Sequence, residues 1–311
     1  MEFLPKALGT RPRLACEIRS EGAVAAVAED AHGVLAALGH VALPAGCIVA
    51  SLRPGNVADA DHLADALRRT LEPLAAGART RDLTLVVPDA AVRVLLLDFD
   101  SLPTKSAEAL AVVRFRLKKL LPFDVEDAAV SYQVLPGAQG QMQVLAVAMP
   151  YDVLAEYEAA VTRAGFVPGA VLPNTLAALC GLEENGAAAL VVNVSGAQIT
   201  TAIVYQGSLL LHRSVEVEAA AEDADQGMAD EIAQAVSVAA AYFEDSVQQP
   251  PACVWSAGTC SADQLRDLLA ARGMTAIPVR EMLETQHLAA GAVTAGVARG
   301  WLAGVRGALR G

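Results

Sequence analysis

A chain of 311 residues is long enough for two domains of ordinary size, each burying its own core. Hydrophobic residues make up 54% of it but aromatics only 4%, so the mean hydropathy of +0.39 reflects alanine enrichment rather than membrane-spanning segments. The net charge of −12, with acids spread along the chain, excludes general electrostatic attraction to nucleic acid or to an anionic bilayer, though not local basic patches.

The start, MEFLPKALGTRPR, has no long apolar segment after its charges and does not read as a signal peptide. Five cysteines (Cys16, Cys47, Cys180, Cys253 and Cys260) form no CxxC pair and are odd in number. That argues against a disulfide framework or a zinc site and for a reducing cytoplasm. Two apolar runs, 14–18 and 23–28, predict a hairpin. The least charged window, 34–52, is tested against the roughly 20 apolar residues a spanning helix needs. It fails, because Pro44, Ala45 and Gly46 break it and His40 lies inside it. Strand plus loop is predicted there, with CIVASL (47–52) strand-like. A helix over 60–74 follows, then strands over 83–87 and 92–99 that PDAA joins as a reversal.

Over 105–121, Leu110, Val113, Leu117 and Leu120 recur at three- and four-residue steps and predict an amphipathic helix ending before Pro122. Arg114, Lys118 and Lys119 on its other face read as a solvated face rather than an anionic docking patch. VSYQVL and VLAVAMP are strands flanking a PGAQGQ turn, and 151–164 is a helix closed by Gly165. LPNTLAALCGL adds a strand end and a short helix. LVVNVSGAQITTAIV (190–204) reads as strand, tight polar turn and strand, with SLLLHRSV as the next strand. A helix over about 222–247 places Ile232, Val236, Ala239 and Phe243 on one stripe. ACVWSAG is a strand opening into the helix SADQLRDLLAARG. The order is strands, helix, strands, helix, twice over, around an inserted αβ unit. In the tail WLAGVRGALRG, Trp301, Val305 and Leu309 share a stripe beside Arg306 and Arg310. A packed final helix is the preferred reading and a membrane-surface helix the alternative.

No glycine precedes a lysine, so a P-loop is excluded, and neither GxSxG nor HExxH occurs. The five histidines (His32, His40, His62, His212 and His287) have no ligand spacing. Nothing in the chain signals hydrolase, oxidoreductase or metalloenzyme chemistry.

The run LPTKSAEALAVVRFRLKKLLPFDVEDAAVSYQVL (102–135) resembles the inserted domain of the type IV pilus assembly protein PilM family. VLAVAMPYDVLAEYEAAVTRAGFVPGAVLPNTLAAL, LVVNVSGAQITTAIVYQGSLLLHRS and a final AGVARG match in the same order, so the resemblance covers nearly the whole chain. It implies an α/β, actin-like (ribonuclease H-like) two-lobed fold related to the division protein FtsA, with an inserted SHS2-like αβ subdomain. The first lobe is expected over 1–32 and 135–185, the insertion over 33–134, and the second lobe over 186–311 with a helical subdomain at about 216–250. The resemblance also implies a scaffold peripheral to the cytoplasmic face of the inner membrane, held there by partners. It would bind the short N-terminal tail of a PilN-like membrane protein, meet PilO- and PilP-like subunits indirectly, and contact motor ATPases and the platform protein. An extended peptide is held in such a groove by backbone hydrogen bonds and a few pockets, without reaction chemistry. The groove is expected between the insertion and the first lobe.

Actin-like clefts hold Mg-ATP between two glycine-rich hairpins, each with an acid, because only glycine allows close backbone approach to phosphate. Where the family reads Asp-Ile-Gly, this chain has Glu17, Ile18 and Arg19. Where it reads Asp-x-Gly, the chain has Asn193, Val194 and Ser195, then Gly196, and the carboxylate that orients Mg²⁺ through water is gone. At the adenosine glycine pair stand Ala257 and Gly258. These departures predict plain hairpins in a retained fold, with no catalytic residue, metal or cofactor. Arg19 neutralising a phosphate in a metal-poor ATP site is the alternative. A nucleotide-switched actin-like ATPase of the same machine, or a GspL-like type II secretion component, are the competing functions. The latter ranks lower because such proteins continue into a membrane span that this sequence lacks.

Overall fold

The computed structural model describes residues 11–135, 142–182, 188–217, 224–275, 277–292 and 296–310. The first part of the chain forms β1 (Leu14–Arg19), β2 (Gly22–Ala28), β3 (Leu35–Ala42), α1 (Ala60–Leu74), β4 (Asp82–Val87) and β5 (Arg93–Phe99). Then come α2 (Ser106–Leu117), β6 (Ala128–Leu135), β7 (Met142–Pro150), α3 (Tyr151–Arg163), β8 (Val167–Pro173) and α4 (Asn174–Leu179). The second part forms β9 (Ala189–Ser195), β10 (Gln198–Tyr205), β11 (Ser208–Glu216), α5 (Ala224–Val247), β12 (Val254–Gly258), α6 (Ala262–Ala270), β13 (Val279–Glu281) and α7 (Ala303–Leu309).

Two five-stranded sheets share one plan, with orders β3-β2-β1-β4-β8 and β11-β10-β9-β12-β13. In each, three antiparallel strands from consecutive hairpins are extended by two parallel ones. Parallel neighbours require crossovers, and α1 before β4, α5 before β12 and α6 before β13 supply them. The middle strands are covered on both faces, so LACEIR is buried at all its positions although it carries Glu17 and Arg19.

Each sheet packs its crossover helices on one face. Leu63, Leu67 and Leu71 of α1 and Tyr157 and Val161 of α3 meet Ile18, Leu83 and Leu85. On the second sheet Ile232, Val236, Ala239 and Phe243 of α5 are buried against Leu190, Val192 and Ile203, as the helical stripe predicts. Ser261 opens α6 through a capping box with Gln264, which satisfies donors of the first turn. The remaining faces of the two sheets close on a shared core with α4 and α7 between them.

A third sheet, β5-β7-β6, carries α2. It draws its strands from residues 93–150, whereas β3, α1 and β4, within the 33–134 span expected for the insertion, belong to the first lobe's sheet. PDAA therefore leads from one sheet to another rather than reversing within one. The strand expected at CIVASL is a loop with one bridge, Ile48↔Val57. Asn56 explains it: its Nδ2 donates to the Arg53 carbonyl at 2.6 Å and its Oδ1 accepts from the Ser51 amide at 2.8 Å, holding the backbone in a closed turn. The strand of that window is β3, upstream. α2 stops at Leu117, leaving Leu120 half exposed, and Arg114 is spent on the carbonyls of Val125 and Ala128. The PGAQGQ turn lies outside the described residues. No helix among those described is long and apolar enough to cross a membrane.

Candidate interlobe site

The β1–β2 and β9–β10 hairpins, one from each lobe, meet at the lobe junction. Positions 17 and 19 project from one face of β1 by strand alternation, and both side chains are fully buried. Arg19 Nε donates to Glu17 Oε1, Nη1 donates to the Val194 carbonyl at 3.3 Å, and the guanidinium lies 5.8 Å from the centre of the Trp301 ring. Glu17 Oε1 also accepts from Asn174 Nδ2. At the start of α4, Asn174 Oδ1 accepts from Asn193 Nδ2, which reaches Thr175 Oγ1 at 2.8 Å. Thr175 donates its amide, at 3.1 Å, and its hydroxyl to Asp89. One buried polar chain thus links β1, α4, the β4–β5 turn and β9 across the lobes. Burial pushes the Glu17 carboxyl up to about 7, with Arg19 opposing the rise.

The hairpin turns close on each other. Gly196, at φ 55°, donates its amide to Glu21 Oε1 at 2.6 Å, and Ser20 Oγ donates to Glu21 Oε2 at 2.8 Å. A backbone amide of the kind that faces a phosphate in an anion-binding turn is here directed at a carboxylate from the opposite hairpin. Ala257 and Gly258 stand behind Asn193 and Val194, their partners in the parallel ladder. Gly258 has φ 83°, and a Cβ there would fall on the Val194 carbonyl and 2.5 Å from Asn193 Oδ1. Gly258→Ala is expected to lower stability by about 1–3 kcal/mol from left-handed strain and overpacking, read as a lower denaturation midpoint with unchanged m-value.

The structure therefore gathers Glu17, Arg19 and Asn193 into one network, puts Ser195 and Gly196 at its solvent edge, and uses Ala257 and Gly258 as backing. Sequence reasoning missed Glu21, Asp89, Asn174, Thr175 and the Trp301 lid. The only signal was an Asn-Thr pair inside the apolar run LPNTLAAL. Beside the network lies a cavity of about 270 Å³ between the lobes. Ile48, Val49, Pro88 and Asp89 wall it on one side, and Ser195, Gln198, Thr200 and Glu216 on the other.

The tail belongs to this junction. Every residue of α7 is buried, Trp301 is 8% exposed, and Arg306 Nη1 donates to the Gly181 carbonyl at 2.6 Å. Glycine at 304 and 307 lets α7 lie against Glu17 and the Ala177 carbonyl, where a side chain would collide. The stripe Trp301, Val305 and Leu309 faces the core, which corrects the membrane-surface alternative.

Two lobes of one duplicated sheet plan, closed around a hairpin-walled junction, define an actin-like fold. The solved PilM–PilN type IV pilus biogenesis complex matches it with a TM-score of 0.78 over 96% of this chain and 98% of that one, at 19% identity. Looser similarity extends to the cytoplasmic domain of EpsL, a type II secretion component of Vibrio cholerae (TM-score 0.47, 14% identity, 79% of this chain and 81% of that one). The ethanolamine utilization protein EutJ of Carboxydothermus hydrogenoformans compares at the same level (TM-score 0.47, 12% identity, 98% and 92%). No protein-family model and no curated protein sequence matches the chain.

Proposed function

We propose that this chain is a cytoplasmic scaffold subunit of a type IV pilus inner-membrane assembly complex. In this reading it grips the N-terminal tail of a PilN-like membrane protein and turns over no nucleotide. The pilus assignment is supported by the Pro-Phe-acid run with its Tyr-Gln and by the end-to-end likeness to a solved PilM–PilN complex. One observation carries the non-catalytic part: the Glu21 carboxylate on the Gly196 amide, at the turn where a phosphate would have to bind. Asn193 supplies an amide where metal-assisted chemistry needs a carboxylate, and Arg19 is already paired with Glu17. The tail then sits between the inserted sheet and the first lobe, and PilO- and PilP-like subunits, the platform and the motors are reached through it.

Two measurements test this. A nucleotide at 100 times its Kd adds roughly 2.7 kcal/mol of stability. The melting temperature is expected to stay unchanged at millimolar ATP with or without Mg²⁺, and a Mg-dependent rise would promote the ATPase-switch reading. Affinity purification from the native host is expected to recover PilN-like and PilO-like membrane proteins. Recovery of type II secretion proteins in their place would overturn the pilus assignment.

A further inference from the structure

Two helices lie one sheet away from the shared core, on the outside of the fold. The inserted sheet turns Val94, Leu96 and Leu145 to that core and Leu97, Val144 and Ala146 to α2. In the second lobe Val191, Ala202 and Val204 face the core, and Leu190, Val192 and Ile203 face α5. Both helices therefore show solvent the side opposite their buried stripe.

On α2 that side is partly apolar. Phe115 is 72% exposed, Val112 is exposed one turn before it, and Leu120 is half exposed just past the helix. Lys118 and Lys119 follow Phe115 by three and four residues, which sets them beside it on the surface. Glu108 is taken by Lys105 at 3.0 Å, and Arg116 shares a cavity with Asp98 and Asp100. Lys118 and Lys119, with no ion pair among the described residues, are the cations left to the patch. A basic face that is merely solvated has no use for three exposed apolar side chains in one cluster.

The outer side of α5 carries the opposite charge. Its 24 residues include no lysine or arginine. Glu231, Gln234, Val238, Tyr242 and Asp245, three and four residues apart, share its exposed face, and Tyr242 is 43% exposed. The register agrees as well. From aromatic ring to charge the step is three residues toward the C-terminus on both helices, Phe115 to Lys118 and Tyr242 to Asp245, a rise of about 4.5 Å. Laid side by side in parallel, the helices bring ring to ring and ammonium to carboxylate together.

Like faces do not pair, because α2 on α2 opposes ammonium groups and α5 on α5 opposes carboxylates. An anionic bilayer would take α2 but leave Val238 and Tyr242 bare, and it would repel a chain of net charge −12. A second copy covers both faces. We propose that α2 of one copy docks on α5 of the next, head to tail. The contact is heterologous, so every copy keeps one face of each kind to offer, and association propagates into a chain or closes into a ring. One helix-on-helix contact sits at the small end of specific interfaces, which sets a weak Kd, on the order of 0.1 mM. The inference uses neither the tail groove nor the interlobe junction and holds with or without the pilus assignment.

Sedimentation velocity of the full chain at low salt, from about 0.01 to about 0.5 mM, tests it. The weight-average mass is expected to rise with concentration and to fall again in about 0.5 M salt. Lys118→Glu with Lys119→Glu, or Glu231→Lys with Asp245→Lys, should each weaken association about ten-fold or more, and all four in one chain should restore it at unchanged net charge. Phe115→Ser alters no charge and should also weaken it about ten-fold, which separates a packed interface from charge attraction alone. All five positions are exposed, so these variants keep the fold, and unchanged melting temperatures check this. A mass that stays monomeric to about 0.5 mM, an affinity untouched by either pair of reversals or by Phe115→Ser, or a quadruple variant that stays monomeric overturns the proposal. So does a monomer that uses Lys118 and Lys119 to bind vesicles of anionic lipid.

Discussion

Replacing Arg19 by methionine is expected to cost about 3–5 kcal/mol of stability at about pH 8, because it strips the partner from a fully buried carboxylate. The cost should shrink on acidification. Burial raises the Glu17 pKa from 4.5 to about 7, so between those values the folded chain holds a proton that the unfolded chain releases. The stabilisation from that proton is complete below about 4.5 and is lost as pH rises through about 7. Without Arg19 the carboxyl is pushed higher still and ionises at greater expense. Urea unfolding at about pH 8 and about pH 5.5 would register the difference, and adding Glu17→Gln should restore most of the loss at the higher pH. A penalty that is the same at both pH values would mean that Glu17 does not titrate as its burial requires.

Removing residues 301–311 is expected to unfold the chain rather than release it from a membrane. Trp301, Leu302, Val305 and Leu309 are all at least nine-tenths buried in the core shared by the lobes. Each such side chain contributes about 1.5–3 kcal/mol, and their sum rivals the total stability of a typical domain, roughly 5–15 kcal/mol. Loss of the helix also uncovers Glu17, against which Gly304 packs, and leaves the Gly181 carbonyl without the Arg306 guanidinium that donates to it. Circular dichroism of the truncated chain checks this. A folded product with a native melting temperature would show that α7 is dispensable to the junction.

Much of the fold was legible because periodicity is a local property. Short apolar runs broken by polar turns marked β1, β2, β9 and β10, and the stripe of Ile232, Val236, Ala239 and Phe243 marked α5. The loop at 47–52 was misread as a strand because its conformation is set by the side-chain bonds of Asn56, which leave no period in the sequence. The boundary of the insertion was misplaced for a related reason. β3 and β4 look like any other strands until pairing assigns them to the sheet of β1, and pairing is a matter of long-range register.

The site divides in the same way. The sequence alone determined that Glu17, Arg19, Asn193, Ser195 and Gly196 sit on two hairpins with unusual chemistry for an actin-like cleft, since residue type and charge are read in place. Only the tertiary structure decided what those residues do. Glu21 reaching the Gly196 amide, Asn174 bridging Glu17 to Asn193, and Trp301 covering Arg19 join groups separated by 175, 157 and about 280 residues. The tail shows the same division. Its apolar stripe is a sequence fact compatible with lipid or protein, and the glycines at 304 and 307 acquire meaning only when Glu17 and Ala177 are brought within a side chain's width of them. Burial of a charge or of an apolar stripe depends on what the rest of the chain places opposite it, and that is decided by packing across the two lobes.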